Sequence, residues 1–215
     1  LLQIVRGSVN PEWLILASVT VLTGTFALKI PGFRSKISLA ETLAFANLLL
    51  FGPAAGAVTA ALDGATSFLR TGRPSARVRH ILFNTAGLTL SVWISGQVFF
   101  QILRRPPLYG GSGAGTAETI FAAIIMAMVH YTINSICVSA IIAMERGDGI
   151  FQIWRDAYLW SSLVYITAGV AAAIITLNLT TSVPASLGII MPLLALMYLT
   201  CRTYLFSIQP AALRD

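Results

Sequence analysis

The sequence predicts an all-α, polytopic membrane bundle, and three observations carry that expectation. Only 10% of the 215 residues are charged while 56% are apolar, whereas an ordinary soluble domain carries about 25% charged residues. The mean hydropathy is +0.80, and the 22 charged side chains (14 Lys and Arg, 8 Asp and Glu) are too few to cover a water-facing surface. The apolar residues also fall in long runs broken by Gly, Pro and basic residues, which excludes low-complexity disorder.

A spanning helix needs about 20 apolar residues. The first run, Trp13 to Ala27, is closed by Lys29 and Pro31-Gly32 and gives a span of about 13–29. A second covers 37–51 and stops at Gly52-Pro53; a third covers 54–69. These two are short, roughly 22–24 Å of helix, and fit either a tightly turned hairpin of short spans or a partly re-entrant pair. Longer runs follow at 81–103, 117–144, 158–177 and 187–206. Ile150 to Arg155 precedes the sixth run and reads as a short interfacial helix. The loop Pro106–Thr116, rich in Gly, Pro and Ser, reads as a flexible external segment. The whole chain, 1–215, is thus expected to be one membrane domain of about seven spans.

Charge supports the count. With seven spans, one side holds Lys29, Arg34, Lys36, Arg70, Arg73, Arg77, Arg79, Arg146, Arg155, Arg202 and Arg214, and the other only Arg6, Arg104 and Arg105. Basic loops stay cytoplasmic, so the N-terminus is expected outside and the C-terminus in the cytoplasm. The excess of +6 is accounted for by those loops, and nucleic acid is not an expected partner. Trp13, Tyr109, Trp154, Tyr158, Trp160 and Tyr204 lie near expected span ends, where amphipathic rings settle at the headgroups. Leu1 opens the chain without a methionine, and its first residues lack a signal-peptide layout.

Ionisable side chains at membrane depth cost about 2.5 kcal/mol or more and therefore face a partner or a cavity. Three stand out. Glu41 lies near the start of the second span, where it fits either a functional carboxylate or a helix cap with the Ser38…Glu41 spacing. Asp63 lies deep in the third, beside the small-residue register Gly52, Gly56, Ala60 and Gly64, which lets another helix approach closely. His130 is near the middle of the fifth, with Asn134 one turn on and Met126 and Cys137 extending that face. With Asn84 and Arg202 they form the candidate set for a ligand pocket, a buried polar network, or both. Cys137 and Cys201 read as small buried hydrophobes. The basic segment Arg70–His80 reads as a topology determinant with capacity for anionic lipid. No metal-ligand spacing, phosphate loop or nucleophile elbow is present, so no enzyme, cofactor or metal site is expected.

The segments Ile37-Ser-Leu-Ala-Glu-Thr-Leu-Ala-Phe45, Leu50-Phe-Gly-Pro-Ala-Ala-Gly56, Ala61-Leu-Asp-Gly64, Ile81-Leu-Phe-Asn-Thr-Ala-Gly87 and Leu90-Ser-Val-Trp93 carry a resemblance. Over about Val9 to Arg202 the chain resembles the multi-span membrane regions that precede HD-GYP, GGDEF or histidine-kinase modules in bacteria. The same pattern is similar to the substrate-binding subunits of energy-coupling-factor vitamin transporters, from which it departs by offering seven spans instead of six. Both resemblances imply a cavity lined around Glu41, Asp63 and Asn84, and a bacterial inner-membrane location. The first implies a sensory input domain that takes a small or lipophilic ligand and signals to a cytoplasmic C-terminal module. The alternatives are a transporter subunit and a structural subunit of a larger membrane assembly. Membrane lipid is a partner in every case.

Overall fold

The computed structural model describes residues 10–24, 28–29, 36–37, 39–71, 78–111, 115–147 and 149–179. They fold almost entirely as helix: α1 Pro11–Thr23, α2 Leu39–Phe51, α3 Pro53–Thr71, α4 Val78–Leu103, α5 Thr116–Arg146, α6 Ile150–Tyr158 and α7 Ser162–Leu179. A 3-10 turn, Leu159–Ser161, joins the last two. The expected seventh span, 187–206, lies outside the described residues.

These seven helices are not the seven expected spans. Three are long and apolar enough to cross a bilayer, over Thr85–Leu103, Thr116–Met144 and Ser162–Leu179. Helices α1 and α2 are shorter apolar helices, and α6 is a nine-residue connector. The side chains are sorted as a lipid environment demands. On α5, Ala122, Ala123, Met126 and Ala127 are buried while Phe121, Met128, Ile136 and Met144 point outward. Small residues inside and large apolar ones outside is the pattern of helices that gain from close packing and lose nothing by facing lipid.

The first helix departs from expectation. Asn10 caps it, its Oδ1 accepting from the Glu12 amide at 2.9 Å, with Pro11 in the first turn. It then ends at Thr23 instead of running on toward 29. Thr23 and Gly24 are weak helix formers, and beyond them Leu28–Lys29 pairs antiparallel with Lys36–Ile37 in a two-residue ladder.

The α2–α3 pair is a tight hairpin. Gly52 turns the chain at φ +97°, a conformation that favours glycine, and Pro53 opens α3 in the first helical position. The small-residue register then lets the two helices close. A Cβ at Gly56 would lie 2.6 Å from Leu48 Cβ, and one at Gly64 would lie 2.9 Å from Thr85 Oγ1 on α4. The carbonyls at the end of α2 are satisfied from a distance. Leu49 O accepts from the Leu108 amide at 3.0 Å and Leu50 O from Tyr109 at 3.1 Å, which answers the orphan acceptors of a helix C-terminus. Leu108 is buried and Tyr109 packs its ring on Phe51. The first half of the Gly/Pro-rich loop is therefore a packed cap for α2, not a free segment; 112–114 lie outside the described residues.

Helix α2 is the hub, packing on α1, α3, α4 and α7. Its Leu43, Phe45, Leu48, Leu49 and Leu50 form the centre of the core with Leu16, Val92, Phe99 and Met126. Two polar contacts tie α1 in. Trp13 Nε1 donates to Thr59 Oγ1 at 3.3 Å, and Asn47 Nδ2 donates to Thr20 Oγ1 at 3.0 Å. Trp13 is thus buried between α1 and α3, in the first turn of α1.

Candidate functional site

Midway along α5 the packing stops being apolar. His130 is 14 residues from Thr116 and 16 from Arg146, about 21 and 24 Å at 1.5 Å per residue. It is 1% exposed. Its ring meets Phe45 of α2 edge-on at 5.0 Å and Tyr165 of α7 at 5.5 Å. The backbone of Ser91 on α4 faces the ring, but neither ring nitrogen closes a hydrogen bond among the described residues.

Tyr165 joins the other polar groups. Asn134 Nδ2, one turn beyond His130, donates to Tyr165 Oη at 3.2 Å. The Tyr165 hydroxyl in turn lies close enough to the Glu41 carboxyl for the two to interact. Asn134, Tyr165 and Glu41 thus bring α5, α7 and α2 together. Glu41 is part-buried and close enough to Asp63 for their charges to interact. Asp63 itself packs against the end of α1, where its Oδ1 occupies the space that a Cβ at Gly24 would need.

Four of the six candidate residues are therefore related in space: Glu41, His130 and Asn134 within one set, and Asp63 at its edge. Asn84 sits in the second turn of α4, with its side chain outside the description; Arg202 lies outside the described residues altogether. Glu41 stands in the first turn of α2 with Tyr165 of α7 beside it, while Ser38, the partner of the expected cap, lies outside the described residues. Tyr165 is level with Asn134, which lies 12 residues, about 18 Å, from the end of α5. Glu41 and Tyr165 both lie in the first turn of their helices, α2 and α7.

Sequence reasoning missed Tyr165, the residue that connects the set. The signal was a phenol in the middle of an apolar run, where a hydroxyl requires a partner. Phe45 carried no signal beyond hydrophobicity. An aromatic path continues outward from the set: Tyr165 to Tyr131 at 5.7 Å, Tyr131 to Trp154 at 6.3 Å, and Trp154 to Phe151 at 6.0 Å. Helix α6 is latched to α5 along it. Trp154 Nε1 donates to Ser135 Oγ at 2.9 Å, and Tyr131 Oη to the Tyr158 carbonyl at 3.1 Å. Among the described residues no three His, Cys, Asp or Glu side chains converge as a metal site would require. Cys137 is a free thiol on the same helix, with its Cβ in van der Waals range of Gly87 on α4.

Chemically, the set can hydrogen-bond. It offers a buried imidazole, a carboxyl, an amide and a phenol between aromatic walls, and no activated nucleophile. Comparison with family models, with curated proteins and with solved structures finds no match for this chain.

Proposed function

We propose that this chain is a membrane-embedded sensory input domain. It takes a small or lipophilic ligand between its helices and signals to a cytoplasmic C-terminal module. In this reading it crosses the bacterial inner membrane seven times, with its N-terminus outside. One observation carries the reading: a fully buried imidazole near the middle of α5, beside the Ser91 backbone but with neither nitrogen closing a hydrogen bond among the described residues, next to Asn134, Tyr165 and Glu41 from three different helices. A purely structural network would be expected to pair every member, since an unpaired polar group in a dry interior costs on the order of 1–3 kcal/mol. A binding site leaves that pairing to its ligand. The set also touches α7, so a ligand that binds two arrangements of α5 and α7 unequally would shift their populations.

Two measurements test this. The reading frame past Asp215, or the intact mass of the native protein, should reveal an output module; a frame closing just beyond Asp215 would remove the output and overturn the sensory reading. With a module present, Ala at His130 and Ala at Asp63 should each abolish its response while membrane insertion stays intact. An unchanged response in both variants overturns the site assignment.

A further inference from the structure

We propose that the outward face of α4 is an interface between two copies of this chain, paired in parallel across a two-fold axis at Gln97. The proposal does not depend on the ligand-binding reading above. It starts from polar groups that face outward from the helices. Ser18, Thr132 and Thr167 are exposed, but each hydroxyl donates to the carbonyl four residues back on its own helix, at 2.7, 2.8 and 3.0 Å. They ask nothing of the surroundings. Trp93 and Gln97 on α4 differ: neither closes a hydrogen bond among the described residues. Trp93 is 45% exposed and lies near the middle of the apolar stretch Thr85–Leu103, about 15 Å from its end. Gln97 is one turn further out and part-buried. Lipid tails offer no partner to an indole N–H or an amide at that depth.

The spacing says what kind of partner fits. Phe83, Ala86, Leu90, Trp93 and Gln97 alternate three and four residues apart, the register at which two helices lie side by side over several turns. The first four are exposed, and α4 packs its other sides on α2, α3 and α5. One polar residue in such a seam fixes register and partner number.

The amide points to a second copy as that helix. Its oxygen accepts and its nitrogen donates, so it is complementary to itself. Two copies inserted in the same direction are related by a two-fold axis along the membrane normal. Their α4 helices then run parallel, and the two Gln97 amides meet at one depth, each donating to the other. Side-chain amides bond across membrane helices in this way.

The test uses the full chain in its native membrane, with Cys137 and Cys201 replaced by Ala. Single cysteines are introduced by Ala86→Cys and Leu90→Cys on the seam. Ile136→Cys is the control, exposed on α5 at similar depth, since Gly87 lies beside Cys137. Oxidation by copper phenanthroline should give a species of twice the chain mass at both seam positions and not at 136. Absence of that species at 86 and 90, or equal yield at 136, overturns the interface. A seam cross-link of any other mass places a different membrane protein on the face and overturns the second copy as its occupant.

Energy transfer between labelled copies in liposomes, followed on dilution with lipid, supplies the second measurement. Gln97→Leu adds an apolar side chain at an outward position, so its thermal midpoint within the monomer should hold. Its dimer should need about fivefold or more less dilution to dissociate. Unchanged dissociation in Gln97→Leu overturns the role given to the amide. No transfer in the native chain at any dilution overturns the dimer, leaving this face to lipid or to the run 187–206 of the same chain.

Discussion

Tyr165 shows how much a single side chain settles in this protein. Its hydroxyl accepts from Asn134 and lies beside the Glu41 carboxyl, so one oxygen is a meeting point of three helices. Tyr165→Phe keeps the ring contacts with His130 and Tyr131 and loses the hydrogen bond from Asn134. Interhelical bonds of this kind in membranes average about 0.6 kcal/mol and reach about 1.7. We expect a stability loss within that range, and Asn134→Ala should cost little more in the Tyr165→Phe background. Additive losses in the two single variants would show that the bond contributes nothing.

Steric residues act at the same scale. A Cβ at Gly169 would lie 2.7 Å from Ala127 Cβ and 3.0 Å from the Ala123 carbonyl, and a backbone oxygen cannot step aside. Gly169→Val should cost about 1–3 kcal/mol by overpacking, read as a lowered thermal midpoint. Gly149→Ala, where the nearest side-chain atom is 4.0 Å away, should leave it unchanged.

Among the elements, α6 has the most divided surface. Ile150 and Phe151 are exposed apolar residues while Arg155 and Asp156 form an exposed ion pair at 3.0 Å. An apolar edge beside charges on one short helix fits the interface between lipid and water. In a cysteine-free background, an environment-sensitive dye placed by Phe151→Cys should emit blue-shifted in nanodiscs, and one placed by Arg155→Cys should not. Equal spectra would remove α6 from the interface. Helix α2 illustrates a different dependence. Its last carbonyls are capped by Leu108 and Tyr109, about 60 residues downstream, so its end relies on a connection between two other helices. Leu108→Pro deletes one of those donors and should lower the thermal midpoint, whereas Pro107→Ala, which adds no side-chain bulk, should not.

For the whole molecule, the helices differ in length more than a uniform bundle of spans would allow. Helix α5 at 31 residues is roughly 46 Å long, and α2 at 13 residues roughly 20 Å, against a hydrocarbon core of about 30 Å. Helix α2 is enclosed by its neighbours, and the polar set collects where it begins. This geometry makes a prediction about depth. A cysteine-reactive, membrane-impermeant reagent should leave a cysteine at Glu41 unmodified in intact vesicles of either orientation, while one at Tyr109 should react from one side only. Modification at position 41 at the rate of an exposed loop would contradict the depth assigned to it.

The membrane class, the helical fold, the α2–α3 turn at Gly52-Pro53 and the three long spans could all be read along the chain. Each is fixed locally, by run length, glycine conformation or the missing proline amide. His130 and Asn134 could be paired as well, because four residues on a helix share a face. The end of α1 at Thr23 escaped that reading, since hydropathy does not distinguish an apolar helix from apolar extended chain. So did the cap that Leu108 and Tyr109 place on α2, and the meeting of Glu41 with Tyr165. These join residues between roughly 60 and 125 positions apart, and only packing decides which faces of which helices turn toward one another. Helix-to-helix register in lipid is set by close contact of small residues and a few buried polar groups. That contact is a property of surfaces assembled in three dimensions, and no single segment of sequence contains it.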